Sequence, residues 1–257
     1  MKKMITEFNK LLNQGVNTQK DPQKIRKKSI LMNPSRRAIY EYLCLHPCSL
    51  VSSIAKALNI SESSVRWHLD KLVYERFVTV QENGSTVFFP TRMINPEHTS
   101  LFRLMALEKS IDILSLIKSK EGVHQNEIGR ELELNIRTAM KYLSDLETFG
   151  LIRSANDGKY KRFYLTEMMD ELKEYYKRNS KHFKGYIIKK ARQDGLRPKI
   201  LLSSPELLRL KLDIGTEIRI LTIPMIPFAG DTFELKDKKK KKLVQKMVYR
   251  PKSPYQS

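Results

Sequence analysis

Apolar positions follow a recurring order along the middle of the chain, three stripes at helical period and then a stretch that alternates. Ile39, Tyr42 and Leu43 share a face after Asn33 and Pro34, a capping side chain followed by proline at the first helical position, and His46-Pro47 ends the stripe. Ser49 opens a second, short helix with Leu50, Ile54, Ala57 and Leu58 on one side, and Asn59-Ile60 makes a tight turn. Ser61 caps a third helix, in which Val65, Leu69, Leu72 and Val73 keep three-and-four spacing. Over 77–89 the period falls to two on both sides of Asn83-Gly84, a strong signal for a hairpin.

The same apolar positions return 74 residues later: Ile39 falls on Ile113, Leu43 on Ile117, Ile54 on Ile128, Leu58 on Leu132, Leu69 on Leu143, Leu72 on Leu146, Val78 on Ile152, Gly84 on Gly158 and Phe89 on Phe163. What repeats is a core with its turns, while the polar residues differ, as when one small fold is used twice with two surfaces. The second copy predicts a helix over 101–119, another over 125–132, a turn at Glu133-Leu134, a helix over 135–149 ended by Gly150, and a hairpin over 151–165 turning at Asn156-Asp157-Gly158.

The stretch IAKALNISESSVRWHLDKLVYERFVTV resembles the helix-turn-helix and wing of prokaryotic winged-helix transcriptional regulators of the ArsR and MarR kind, and IGRELELNIRTAMKYLSDLETFGLI is similar to a second, more divergent one. Tandem arrangements of this sort resemble regulators found in archaea. The likeness covers about residues 33–165 and implies a mainly α fold with small β-hairpin wings, an α+β class. The expected organisation is a basic arm or helix at 1–32, winged-helix domains at 33–95 and 99–165, a linker or dimerisation helix at 166–193, a small α+β appendage at 194–235 and a basic tail at 236–257. In the appendage a short helix is expected over 206–211 after Ser204-Pro205, and a strand over 217–223.

The resemblance implies double-stranded DNA as partner, with the third helix of each copy in the major groove and the wing on a neighbouring groove or on phosphates. In the first copy Ser63, Ser64, Arg66, Trp67 and Lys71 lie off the apolar face. Arg66 suits base reading, because its planar fork can bond O6 and N7 of guanine. Trp67, the single tryptophan, sits opposite Val65 and Leu69 in helical phase, exposed for a contact or folded down as a core-edge packer. His68 lies on the buried side, and Glu62 and Asp70 are unsuited to phosphate. The second copy offers Asn135, Arg137, Thr138, Lys141 and Tyr142, with Lys159, Lys161 and Arg162 on its wing, so the two copies should not read the same sequence. One copy can instead serve dimerisation or protein docking.

Composition adds a qualification. The 257 residues hold 48 Lys+Arg against 28 Asp+Glu, a net +20 with a pI near 9.8, and 40% are hydrophobic, enough to exclude a wholly disordered chain. By segment the excess is +6 over 1–33, +2 over 34–180 and +12 over 181–257, with runs at Lys24, Arg26, Lys27 and Lys28 and at Lys236 and 238–242. Such runs read as solvated tails or as phosphate contacts without base specificity. No stretch approaches the roughly 20 apolar residues of a membrane span, and 1–15 lacks a leader's apolar region, so a cytoplasmic protein with no membrane partner is expected.

Cys44, His46 and Cys48 fall short of a zinc ligand set, and as small buried hydrophobes the cysteines need no further role. With no P-loop, dinucleotide fingerprint or nucleophile motif, no catalytic residue, metal or cofactor is expected. RNA polymerase, basal transcription factors or a replication complex are the partners of an adaptor reading. A homodimer through 166–193 and that helix packed back on its own chain fit the apolar stripe equally.

Overall fold

The computed structural model describes residues 29–83 and 85–228; the two basic runs, the tail at 236–257 and most of the arm lie outside the described residues. It is a mixed α+β structure of helices and small antiparallel sheets. Helix α1 (Pro34–Leu45) starts where Asn33 accepts a hydrogen bond from the Arg36 N–H, and α2 (Val51–Leu58) and α3 (Glu62–Tyr74) follow. Strands β1 (Val78–Asn83) and β2 (Ser85–Pro90) form the first hairpin. Ser49 does not open α2: its backbone bridges Phe88 and its hydroxyl donates to the His46 carbonyl, leaving extended Leu50 before the helix.

The second copy keeps that order and adds a leading helix and a short strand: α4 (Thr99–Met105), α5 (Glu108–Ser119), β3 (Val123–His124), α6 (Gln125–Glu131), α7 (Ile136–Thr148), β4 (Ile152–Asp157) and β5 (Tyr160–Leu165). The helix expected over 101–119 is two helices, because Leu107 turns extended (φ −80°, ψ 127°) between them. Left-handed backbone recurs at the 74-residue spacing, at Cys48 and Gly122, Asn59 and Glu133, Arg76 and Gly150. So do the turn hydrogen bonds, Ile60 N–H to Ala55 O matching Leu134 N–H to Gly129 O, and Phe77 N–H to Leu72 O matching Leu151 N–H to Leu146 O. Past the hairpin turn β5 lies one position further on: Val80 faces Phe88 where Ser154 faces Phe163. Phe163 therefore corresponds to Phe88 and not to Phe89.

Helix α8 (Met168–Gln193) runs unbroken through Asn179, Ser180 and Gly185. Its buried stripe, from Met169 through Tyr176, Phe183 and Ile187 to Ala191, packs on its own chain. The Tyr176 hydroxyl receives the Asn95 N–H at 3.3 Å and meets His98 Nδ1 at 2.9 Å, while the Tyr186 hydroxyl donates to the Arg76 carbonyl.

After α8 come β6 (Lys199–Ser203), β7 (Leu207–Asp213) and β8 (Ile218–Pro224), a sheet in the order β6-β7-β8. The helix expected over 206–211 is β7: Leu208, Leu210 and Leu212 alternate into the core between two flanking strands. This sheet is tied to the first copy. Glu41 on α1 accepts the Thr222 N–H at 2.7 Å, and the Phe228 N–H donates to the Leu45 carbonyl at 2.7 Å, with the Phe228 ring against His46 and Phe102. At the other end the 29–32 segment is no arm. Ile30–Met32 is a buried 3-10 turn, with the Ile30 N–H and the Ser29 hydroxyl donating to Asp194. The buried residues form one connected core from Ile30 to Phe228.

Candidate nucleic-acid interface

The outward face of α3 is set by capping and phase. Ser61 accepts the Ser64 N–H at 3.3 Å, which starts the helix one residue after the left-handed turn at Asn59 and Ile60. Val65, His68, Leu69 and Leu72 then point inward, leaving Ser63, Arg66, Trp67, Asp70, Lys71 and Tyr74 exposed, with Ser64 half-buried. Arg66 lies 3.6 Å from Glu62 with both side chains exposed, a pair that solvent weakens and that leaves the guanidinium available.

Trp67 is 53% exposed, which decides between its two placements. Its ring lies edge-on to His68 at 4.8 Å, and two cations lie over it, Arg36 of α1 at 5.9 Å and Lys71 at 6.0 Å from its centroid. Burial pushes the Arg36 guanidinium down from its ordinary value, partly offset by Asp194. Burial, and then Arg36, also push His68 down, so its neutral form is favoured at the edge of the core. Arg36 escaped the sequence reading because it comes from another helix.

On α7, Asn135 accepts the Arg137 N–H at 2.9 Å and so serves as cap. Arg137, Thr138 and Lys141 are exposed beside Ile136, but Tyr142 is partly buried against the core and does not share their exposed surface. On the second wing Lys159 and Lys161 are exposed, Lys159 lying over Tyr160. Arg162 is held by the wing itself: its Nε donates to Asp157 at 2.6 Å and its NH1 group to the Gly122 carbonyl at 3.0 Å. Arg153 over Tyr164, at 4.6 Å, adds an exposed cation that alternation along β4 signals.

Cys44 and Cys48 are free and buried, and burial raises both thiols, Cys48 to about 12. The His46 ring lies tilted against Tyr42 and edge-on to Phe228. Among the described residues no group of three or more His, Cys, Asp or Glu side chains is placed to hold a metal, and no helix is long and apolar enough to cross a membrane.

A capped third helix behind a left-handed turn, followed by a hairpin, is the geometry of a winged helix-turn-helix. Residues 32–79 match the winged helix-turn-helix DNA-binding family. Over 141 residues the chain is 28% identical to an uncharacterized HTH-type transcriptional regulator of Methanocaldococcus jannaschii, covering 54% of this chain and 35% of that protein. The chain thus spans about a third of that relative's length. Among solved structures it is similar to the PcaV transcriptional regulator of Streptomyces coelicolor (TM-score 0.25, 16% identity, 32% of this chain and 61% of that one). It is also similar to ScpB of Mycobacterium tuberculosis (TM-score 0.23, 16% identity, 53% of this chain and 92% of that one).

Proposed function

We propose that the chain is a sequence-specific, non-enzymatic transcription regulator of the cytoplasm, with winged-helix modules at 33–95 and 99–165 that offer double-stranded DNA two different surfaces. The observation that carries this reading is the exposed Arg66, Trp67 and Lys71 face on the third helix of the segment that matches a DNA-binding family. Ser63 of α3, Arg137, Thr138 and Lys141 of α7, and Lys159 and Lys161 of the second wing complete the contact set. Half-buried Ser64, capping Asn135, partly buried Tyr142 and self-paired Arg162 play supporting roles.

Selection of genomic DNA fragments on the purified protein at about physiological salt tests the reading. Sites enriched on the order of 10³-fold over bulk DNA are expected, and an unenriched pool would leave the adaptor on a transcription or replication complex in its place. With a site in hand, Arg66→Ala is expected to cost about 1 to 3 kcal/mol and to relax preference at one base pair. Equal weakening on every sequence would make Arg66 a phosphate contact.

A further inference from the structure

The two edges of the C-terminal sheet are treated differently. On β8 the outward Thr222 N–H is taken by Glu41, and α1 covers the strand. On β6 all five residues are exposed, including Ile200, Leu201 and Leu202, each at 45% or more, and the Lys184 ammonium of α8 donates to the Ser203 hydroxyl at the strand's end. An open edge of this composition is a template for another strand. A register shift between Ile200 and Leu202 keeps the regular stretch short, which discourages indefinite stacking of copies.

The chemistry around the edge selects its occupant. Strand register puts Leu202, Ile218 and Ile220 on the outer face with Lys199, Arg209 and Lys211, while Leu208, Leu210, Leu221 and Ile223 face the core. At the end of β6 a cleft of about 460 Å³ is lined by Arg192, Arg197, Lys199 and Lys211, with Asp213 the single acid. Asp213 is already engaged by the Gly215 N–H at 2.6 Å. No aromatic side chain occurs in the three strands, so the face has no platform on which bases could stack. A second copy would return the same cations to the edge.

We propose that β6 is a docking strand for an extended segment of a partner protein in which aliphatic and acidic residues alternate. The segment adds to the sheet as a fourth strand beside β6, its carboxylates on the outer face with the Lys199, Arg209 and Lys211 row and in the adjoining cleft, and its aliphatic side chains on the opposite face beside the exposed Ile200. Main-chain hydrogen bonds supply affinity, and the cations select against neutral or basic strands.

The test uses the full chain and a short labelled peptide of alternating glutamate and valine, read by fluorescence anisotropy and by amide hydrogen exchange. Saturable binding is expected, with slowed exchange over 199–203 and roughly tenfold weaker binding after Lys199→Glu combined with Lys211→Glu. Both substitutions are outside the buried core, and an unchanged unfolding midpoint verifies that the variant folds. The proposal is overturned by no binding, by equal binding of an N-methylated or lysine-for-glutamate peptide, or by displacement with oligothymidylate. Sedimentation showing a dimer that Leu202→Asp dissociates would assign the edge to a second copy instead.

Discussion

Phe228→Ala is expected to lower the stability of the whole described molecule by about 3 to 5 kcal/mol, the cost of emptying a fully buried aromatic site. The ring touches His46 after α1 and Phe102 of α4 at centroid distances of 5.9 and 5.6 Å, and the backbone of the same residue is bonded to Leu45. One side chain therefore joins the C-terminal sheet, the first copy and the start of the second. Urea unfolding followed by far-ultraviolet circular dichroism should show a single transition that moves as a whole. Were the sheet a separate unit, a minor early transition would move and the main one would stay.

Glu41→Gln is expected to stabilise the protein at neutral and alkaline pH. Burial raises the Glu41 carboxyl from 4.5 to about 7, outweighing the Thr222 N–H and the Arg37 charge, which both favour the ionised form. A carboxyl raised by folding binds more protons folded than unfolded, so its favourable share is complete below pH 4.5 and is lost as pH climbs through about 7. The loss amounts to about 3 kcal/mol. Glutamine keeps an acceptor for Thr222 and removes the charge. Unfolding free energies over a pH series should find wild type and variant alike near pH 4 and the variant ahead by up to about 3 kcal/mol near pH 8. Parallel curves would mean that Arg37 fully compensates the buried carboxylate.

Much of the framework was legible because its signals are local. Helical spacing, Asn33-Pro34, Ser61 and Gly150 located α1, α3, α7 and the turns that bound them. The strand β7 was misread because Ser204-Pro205 looks like a helix start. The Ser204 hydroxyl does accept the Glu206 and Leu207 N–H groups, as a cap would, but the next residues alternate, and their partners lie in β6 and β8. The break at Leu107 carries no proline or glycine. The exposed face of α3 followed from phase alone, whereas the Arg36 contact with Trp67 and the Arg162 bond to Gly122 join residues that sequence spacing does not relate.

The connected core has a mechanical meaning. Two readers on a flexible tether could each settle on whatever spacing the DNA presents. Here α3 and α7 branch from one packed interior, and α8 with the C-terminal sheet braces the first copy from behind. Under the proposed reading, in which both surfaces engage one duplex, such a molecule would act as a ruler, sensitive to the rotation and rise between two sites, because a single inserted base pair turns one site roughly a tenth of a helical turn away.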